Sequence, residues 1–173
     1  MNDSGLRSTA GKLATMHLRP ARVGDQEAIR RLVDKVYREY GDRLFVEDAD
    51  ADLLDIEGNY RARGGEFVVL DDANQIRGTH AVLPSADGQR VCTFRRLFLE
   101  PGLRGSGWGE RLMQWALDWA ADHRFERVQF WSDTRFERAH AFFAKFGFQQ
   151  GTIREMNDGA MPYREHFFSL DLE

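Results

Sequence analysis

A glycine-rich stretch in the second half of the chain has the residue types that bind a phosphate group. The apolar residues 97–99 predict a strand, and Pro101 begins a tight loop that leads into a helix. The start of a helix presents unpaired backbone N–H groups at the positive end of the helix dipole. Gly105, Gly107 and Gly109 let an anion approach those groups without a Cβ in the way. The stretch therefore predicts an anion-binding turn.

Two familiar phosphate-binding loops do not match this stretch. A P-loop ends in Gly-Lys-Ser or Gly-Lys-Thr, and residues 97–110 contain no lysine. A dinucleotide-binding fingerprint needs its third glycine at the position of Glu110 and belongs to an early strand–helix unit. Both loop types are therefore excluded.

A third loop type matches. The pattern Arg104-x-x-Gly107-x-Gly109 resembles the Gln/Arg-x-x-Gly-x-Gly/Ala pyrophosphate loop of the GNAT superfamily of acyl-CoA N-acyltransferases. Residues 97–101 also resemble the strand before that loop. Downstream, residues 138–148 resemble the family's late helix, which ends in an aromatic residue, a short variable stretch and Gly-Phe. Residues 131–140 are similar to uncharacterised bacterial members, and the resemblance covers roughly residues 16–172. Two motifs at the correct separation disfavour the alternative, a glycine turn selected only for packing.

The resemblance implies acetyl-CoA as cosubstrate and a set of residues that bind it. In the family, the strand before the loop splays from its parallel neighbour, and its exposed backbone pairs with the pantetheine arm. Those positions here are Leu97, Phe98 and Leu99. The pyrophosphate would be held by backbone groups of the glycine loop: Arg104, Gly105, Ser106, Gly107, Trp108, Gly109 and Glu110. No metal is implied, and binding by backbone amides needs no basic patch.

The side chains that usually supply acid–base chemistry in this family are absent. The resemblance places Thr93 where many members have a glutamate base, and Phe143 where a tyrosine protonates the leaving thiolate. Neither side chain can do that work. Proximity supplies much of the acceleration in a direct transfer. The sequence therefore leaves open an active enzyme and a non-catalytic acyl-CoA binding or sensing module.

Three other residues are candidate catalytic groups, and each has a structural alternative. His80 lies in the middle of a predicted strand and would be a base if it faced the cleft. Asp133 follows a predicted strand and would orient the acceptor amine, although residues 132–134 equally suit a helix cap. His140 lies one turn before Phe143 on the same predicted helix face and would reach the thioester.

A run of acidic residues lies at the start of the second predicted helix. The pattern Asp48-x-Asp50-x-Asp52 resembles an EF-hand calcium loop, but the sixth position is Leu53 and the twelfth is Asn59, which excludes that loop. One interpretation is a solvated helix start, which the helix dipole favours. Family geometry suggests another, because this connection borders the acceptor site in relatives. Acidic side chains there would favour a cationic amine.

The order of predicted elements agrees with this resemblance. Apolar residues at helical spacing predict helices over residues 25–40, 49–63, 107–123 and 137–146. Strand-like runs occupy residues 16–23, 67–70, 76–83, 91–99, 127–131, 148–154 and 165–172. We predict an α/β (α+β) fold with a mixed, mostly antiparallel central sheet of six to seven strands, flanked by about four helices. Residues 1–15 are predicted to be a flexible tail and residues 16–173 a single domain.

Composition limits the classes of function. A length of 173 residues suits one domain, and 42% hydrophobic residues suffice for a core. A net charge of −4 disfavours nucleic-acid binding. No apolar run reaches the length of a membrane span. The single cysteine, Cys92, excludes an internal disulfide and favours a cytoplasmic location.

From these observations we expect an N-acetyltransferase that moves an acetyl group from acetyl-CoA directly to a primary amine. A small-molecule acceptor is favoured over a protein, because the chain has no added recognition domain. We expect no nucleic-acid or membrane partner. A homodimer is a further expectation, since family members often dimerise through late strands.

Overall fold

The computed structural model describes residues 15–86 and 89–173. Those ranges contain seven strands: β1 (Met16–Pro20), β2 (Glu66–Asp72), β3 (Gln75–Pro84), β4 (Val91–Leu99), β5 (Arg127–Asp133), β6 (Gln149–Met156) and β7 (Tyr163–Asp171). They also contain four α-helices: α1 (Gln26–Arg38), α2 (Ile56–Asn59), α3 (Trp108–Asp122) and α4 (Glu137–Lys145). Apart from Thr15, the predicted N-terminal tail lies outside the described residues.

The described strands form one sheet in the order β1-β2-β3-β4-β5-β7-β6. Neighbouring strands are antiparallel except for β4 and β5, which are parallel. A parallel pair needs a long crossover connection, and α3 lies in the segment that joins these two strands. The predicted mixed, mostly antiparallel sheet with about four helices is confirmed.

The helices cover the two faces of this sheet. Ala81 packs in one apolar cluster with Ile29 of α1, whereas its neighbour Val82 packs in another with Met113 of α3 and Phe143 of α4. Successive strand residues point to opposite faces. The helix α1 therefore lies on one face, and α3 and α4 lie on the other.

A β-bulge interrupts β4. Thr79 pairs with Phe98 and Ala81 pairs with Arg95, so two β4 residues oppose the single β3 residue between them. One of those two is Arg96, whose φ of 59° lies in the left-handed region. That conformation is uncommon for a residue other than glycine, and bulges of this kind redirect a side chain.

The predicted helix over residues 49–63 is wrong. Three short turns replace it: the 3₁₀ turn Ala51–Leu54, the one-turn helix α2 and the 3₁₀ turn Arg61–Arg63. The Asp50 carboxylate accepts the Phe45 N–H at 2.8 Å, and the Asp55 carboxylate accepts the Gly58 N–H at 2.9 Å. Such side-chain acceptors compete with the regular hydrogen bonds of a helix, and the chain turns instead.

The other predicted elements are present, with no end displaced by more than three residues. Predicted strand β4, over residues 91–99, has the observed bounds, and α3 begins and ends one residue inside its prediction. No helix in residues 15–86 and 89–173 is both long enough and apolar enough to cross a membrane.

Candidate active site

The glycine loop leads from β4 into α3 with two glycines in left-handed backbone. The φ angle is 76° at Gly105 and 90° at Gly107, the residue just before α3. A Cβ at either position would meet no heavy atom within 4 Å, so the space beside the loop is open. Within the described residues, the N–H groups of Gly105 and of residues 107–110 have no backbone acceptor. The start of α3 therefore offers a group of free donors.

The backbone N–H groups of Arg104 and Ser106, unlike those of their neighbours, donate hydrogen bonds within the loop itself. The Arg104 N–H donates to the Pro101 carbonyl and the Ser106 N–H donates to the Leu103 carbonyl, each at 3.2 Å. The Arg104 guanidinium donates to both carboxylate oxygens of Glu39, at 2.7 and 2.8 Å. These hydrogen bonds lower the pKa of Glu39. Arg104 therefore ties the loop to the end of α1, and two of the amides predicted to bind pyrophosphate are already bonded.

The parallel strands β4 and β5 pair over only three residues. Their pairing ends at Thr93 and Gln129. Beyond that point β4 pairs with β3, and β5 continues along β7 to Asp133. The two strands separate on the approach to the glycine loop, and Leu97 and Phe98 line the gap between them.

A cleft of about 470 Å³ opens at this split. Thr93 of β4, Phe130 of β5 and Phe143 of α4 contribute to its lining. Its other wall comes from the connection between α1 and α2 and from the turn between β6 and β7. The Ala49 N–H joins these two segments by donating to the Asp158 carbonyl at 3.2 Å. The volume suits a small-molecule ligand.

A buried ion-pair network forms one side of the cleft. The Arg96 guanidinium donates to Asp50 at 2.7 Å and to both oxygens of Asp52, and its side chain is 7% exposed. Tyr37 donates to Asp50 at 3.1 Å, and Tyr60 donates to Asp52. Burial alone would raise the pKa of Asp52, but the charge and hydrogen bonds of Arg96 outweigh it and hold that pKa below its usual range.

This network changes the interpretation of the acidic run. Asp50 and Asp52, its most buried members, are bonded to Arg96 and are not free to attract a cationic amine. Sequence reasoning missed Arg96. Its signal was the adjacent pair Arg95-Arg96 in a strand of otherwise uncharged residues, a pattern that fits a bulge.

A comparison with known families identifies the family to which this fold belongs. Residues 29–148, more than half of the chain, match the model of the Acetyltransferase (GNAT) family. This chain belongs to the GNAT family. It is therefore an acetyltransferase by family.

Individual relatives agree with that family. The chain is 24% identical over 129 residues to the uncharacterized N-acetyltransferase YjgM of Escherichia coli, covering 72% of this chain and 77% of that protein. A GNAT acetyltransferase from Staphylococcus aureus has a TM-score of 0.79 at 16% identity, over 91% of this chain and 99% of that one. The putative acetyltransferase yncA from Salmonella typhimurium, solved with acetyl-CoA, has a TM-score of 0.70 at 16% identity, over 92% and 95%. These structures share the GNAT fold.

His80 is the most deeply buried of the three candidate catalytic groups of this GNAT chain. The residue is 1% exposed, and its ring lies 5.3 Å from that of Phe94 and 6.1 Å from that of Trp115. Its Nδ1 lies 2.9 Å from the Leu112 carbonyl oxygen. Burial lowers the pKa of His80 to about 4. His80 is thus a neutral imidazole at pH 7, packed under α3 at the floor of the cleft.

Asp133 orients an arginine instead of capping a helix. Its carboxylate accepts the Arg135 backbone N–H at 2.9 Å and the Arg135 Nε at 3.0 Å. The residue before α4 is Phe136, and no side chain caps that helix. Arg135 also donates to Asp42 at 2.7 Å, so the guanidinium joins the end of β5 to the segment after α1. The helix-cap interpretation of residues 132–134 is therefore wrong.

His140 reaches the cleft through Ser132. The His140 Nε2 lies 3.2 Å from the Ser132 hydroxyl oxygen, and Ser132 lines the cleft. Burial and the nearby His166 lower the pKa of His140, and the Asp133 carbonyl offsets part of that effect. The imidazole is therefore neutral at pH 7 and hydrogen-bonded to a hydroxyl group beside the split. Sequence reasoning selected His140 but not Ser132.

The two positions that the resemblance aligned with the family's acid–base groups, Thr93 and Phe143, both line the cleft. Thr93 is the last β4 residue paired with β5, at the point where the cleft begins. Phe143 is 6% exposed, with ring centroids 4.9 Å from Phe130 and 5.2 Å from Phe168. Its apolar ring fills the wall of the cleft without offering a proton.

Proposed function

We propose that this chain transfers an acetyl group from acetyl-CoA directly to a primary amine, with a small-molecule acceptor favoured over a protein. The observation that carries the proposal is the split between β4 and β5, which opens at Thr93 on the strand that leads into the glycine loop. One strand edge and one helix start thus lie next to each other. The strand edge suits the extended pantetheine arm, and the helix start suits the diphosphate of the same ligand.

The residues of the loop fit a diphosphate. Gly105 and Gly107 border open space, and residues 107–110 contribute free N–H groups at the positive end of α3. The backbone of Leu97, Phe98 and Leu99 would hold the pantetheine arm. Arg104 and Ser106 act indirectly in this proposal, since their bonds fix the loop conformation. When bound, acetyl-CoA supplies the thioester carbonyl and the leaving thiol.

We propose that the Ser132 hydroxyl faces the leaving thiol of acetyl-CoA and that His140 positions this hydroxyl. Phe143 cannot offer a hydrogen bond to the leaving thiolate, whereas the Ser132 hydroxyl on β5 lines the same cleft and would donate one. The proton that the acetylated amine releases ends on the thiolate. The hydrogen bond between His140 Nε2 and Ser132 fixes that hydroxyl beside the split. Asp133 has the role of holding Arg135 in place, and we propose no catalytic role for His80.

The environment of the single cysteine supports transfer without an acyl-enzyme. Cys92 lies on β4, close in sequence to the start of the split, but its side chain is fully buried. Burial raises the pKa of the Cys92 thiol to about 12. A thiol of that pKa is almost entirely protonated at neutral pH and is a poor nucleophile. Direct attack by the amine is the simpler route.

Two measurements test the proposal against its alternative, a non-catalytic acyl-CoA binding or sensing module. The first is the thermal stability of the chain with CoA and acetyl-CoA. The second is the release of free thiol in the presence of a panel of amines that includes small molecules and peptides. Stabilisation with thiol release supports the enzyme. Stabilisation without turnover on any amine favours the binding module, and no stabilisation at high ligand concentration overturns both.

A further inference from the structure

The cleft is lined by more than one arginine, and whether each of them has a carboxylate partner bears on the charge of the acceptor. Its lining includes five arginines: Arg43, Arg95, Arg96, Arg135 and Arg154. Three of them have carboxylate partners: Arg96 with Asp50 and Asp52, Arg135 with Asp42 and Asp133, and Arg154 with Glu165. Within the described residues, Arg43 and Arg95 form no ion pair.

Arg95 is the better placed of the two unpaired arginines. It lies on β4 two residues beyond Thr93, so both side chains share one face of the strand, with Cα atoms about 7 Å apart. Thr93 marks the point at which the cleft opens. Arg43 lies on the loop after α1, where its guanidinium is 5.6 Å from the Phe45 ring centre.

No carboxylate of the described cleft is left for Arg95. Arg95 is near enough to Asp52 to help lower its pKa. Both oxygens of Asp52, however, already accept hydrogen bonds from Arg96 and Tyr60. Asp158, on the far side of the cleft, accepts from the Tyr163 hydroxyl at 2.7 Å. Within the described residues, the half-buried Arg95 thus lines the cleft without an ion-pair partner, and a guanidinium favours a carboxylate partner.

We propose that Arg95 binds a carboxylate carried by the acceptor amine. The acceptor would be a compact primary amine whose carboxylate lies within a few ångströms of its amino group, such as an amino acid. The closeness of Arg95 and Thr93 on one face of β4 favours such a compact acceptor. This inference rests on the proposed acetyl transfer and reverses the cationic acceptor that the acidic run suggested. Arg95 would then be a specificity-determining residue.

A set of three acceptors of matched size tests this inference. β-Alanine carries a carboxylate, β-alaninamide is neutral at that end, and 1,3-diaminopropane carries a second amine. Each is assayed for kcat/KM with acetyl-CoA, and each is titrated calorimetrically into the protein saturated with CoA. We expect β-alanine to give the highest kcat/KM and the tightest binding of the three.

Arg95→Gln is the decisive variant, and Arg164→Gln is its matched control, because Arg164 is exposed on β7 away from this cleft. We expect Arg95→Gln to weaken the binding and the kcat/KM of β-alanine about 10- to 100-fold, the range for a lost hydrogen bond to a charged group. The same variant should leave β-alaninamide and the stabilisation by CoA unchanged. Arg95→Lys should restore part of the effect.

Two results would overturn this inference while leaving acetyl transfer intact. One is a higher kcat/KM for β-alaninamide or 1,3-diaminopropane than for β-alanine. The other is an equal effect of Arg95→Gln on all three acceptors. Failure of CoA to stabilise the protein, or failure of every amine to be acetylated, would instead overturn the proposed function, and this inference with it.

Discussion

Two histidines of this chain have different surroundings, and those surroundings decide what each can do. His80 is enclosed by aromatic rings and bonded to a backbone carbonyl. His140 is half-buried and bonded to the hydroxyl of a residue that lines the cleft. The first is suited to packing and the second to positioning a reactive group, although the sequence alone ranks them as similar candidates.

Burial of neutral His80 should be visible in the pH dependence of stability. Its folded pKa of about 4 lies below its ordinary value of 6.5, so the unfolded chain binds a proton in this interval before the folded protein does. His80 therefore costs stability as pH falls from about 6.5 to about 4, on the order of 3 kcal/mol in total. We expect the stability advantage of the wild type over His80→Gln to shrink across this interval in denaturant unfolding experiments.

His17→Gln is the control for that experiment, because His17 is exposed on β1. Its stability at neutral pH should be within about 0.5 kcal/mol of the wild type, because the substitution removes no buried contact. A constant difference for His80→Gln would show that His80 is protonated normally in the folded protein and would reopen its role as a base.

Substitution of Ser132 or His140 should lower turnover without changing the binding of acetyl-CoA. We expect Ser132→Ala to lower kcat about 10- to 100-fold, because the leaving thiol loses its positioned hydroxyl. The KM for acetyl-CoA should stay unchanged. His140→Asn should lower kcat in the same direction, and the double variant should lose little more than Ser132→Ala, since the two residues act as a unit. Steady-state kinetics with both substrates varied measure these effects.

Ser169→Ala is the matched control on β7, opposite Gln129 and in the paired part of the sheet. It should retain wild-type kcat. Full activity in Ser132→Ala would remove Ser132 from the reaction. Fully additive losses in the double variant would show that His140 acts separately from Ser132.

At the scale of elements, the glycine loop has a conformation that a side chain resists. Gly107 has a φ of 90° and immediately precedes α3, where the free N–H groups begin. We expect Gly107→Ala to cost about 1–2 kcal/mol of stability from left-handed strain. It should also weaken acetyl-CoA binding by more than that strain explains, because the new methyl group occupies the approach of the diphosphate. Calorimetric titration measures the dissociation constant.

Gly64→Ala is the control for Gly107→Ala, because it introduces the same left-handed backbone strain at a position outside the glycine loop. Gly64 has a φ of 79°, and a Cβ there would make only an ordinary contact of 3.5 Å with Pro84. Its stability loss should equal that of Gly107→Ala, while its affinity for acetyl-CoA should equal that of the wild type. Equal affinities in the two variants would contradict the assignment of the loop to the diphosphate.

The ion pairs of Arg96 with Asp50 and Asp52 hold the segment around residues 50–52 on β4. Arg96→Met should cost about 3–5 kcal/mol in the free energy of unfolding, because it leaves two buried carboxylates without their cation. Adding Asp50→Asn and Asp52→Asn to the same chain should recover part of that loss. Denaturant unfolding of the single, double and triple variants measures the coupling.

The surface pair between Arg127 and Asp171 provides the comparison. Arg127→Met should change stability by less than about 1 kcal/mol, because exposed pairs contribute little. An equally small loss for Arg96→Met would contradict the picture of a buried network that holds this segment on the sheet.

The network also explains where sequence-based prediction failed. Helical spacing of Leu53, Ile56 and Tyr60 favoured one long helix, and those residues are indeed buried. The carboxylates of Asp50 and Asp52 just before them, however, bond to Arg96, which is more than forty residues away in sequence. Local periodicity carries no information about such a partner. The same limit applies to Ser132, whose importance depends on a hydrogen bond across two elements.

At the scale of the whole molecule, the type of sheet could be predicted because it is encoded locally. Strands with alternating apolar residues, turn residues between them and one long crossover fix a mostly antiparallel sheet with one parallel pair. Two motifs then located the family without any tertiary information. The charge of the cleft could not be predicted in this way. It depends on which carboxylates are already paired, and the folded structure pairs most of them with arginine.

The central claim, direct acetyl transfer at the β4–β5 split, has one direct test. The protein is incubated with isotope-labelled acetyl-CoA, with and without a mixture of small primary amines, and intact protein and amines are analysed by mass spectrometry. We expect the label to appear in an amine only when both substrates are present, with no labelled protein at any time. Labelled protein that passes its acetyl group to the amine, or no labelled amine despite tight binding of acetyl-CoA, would contradict the account.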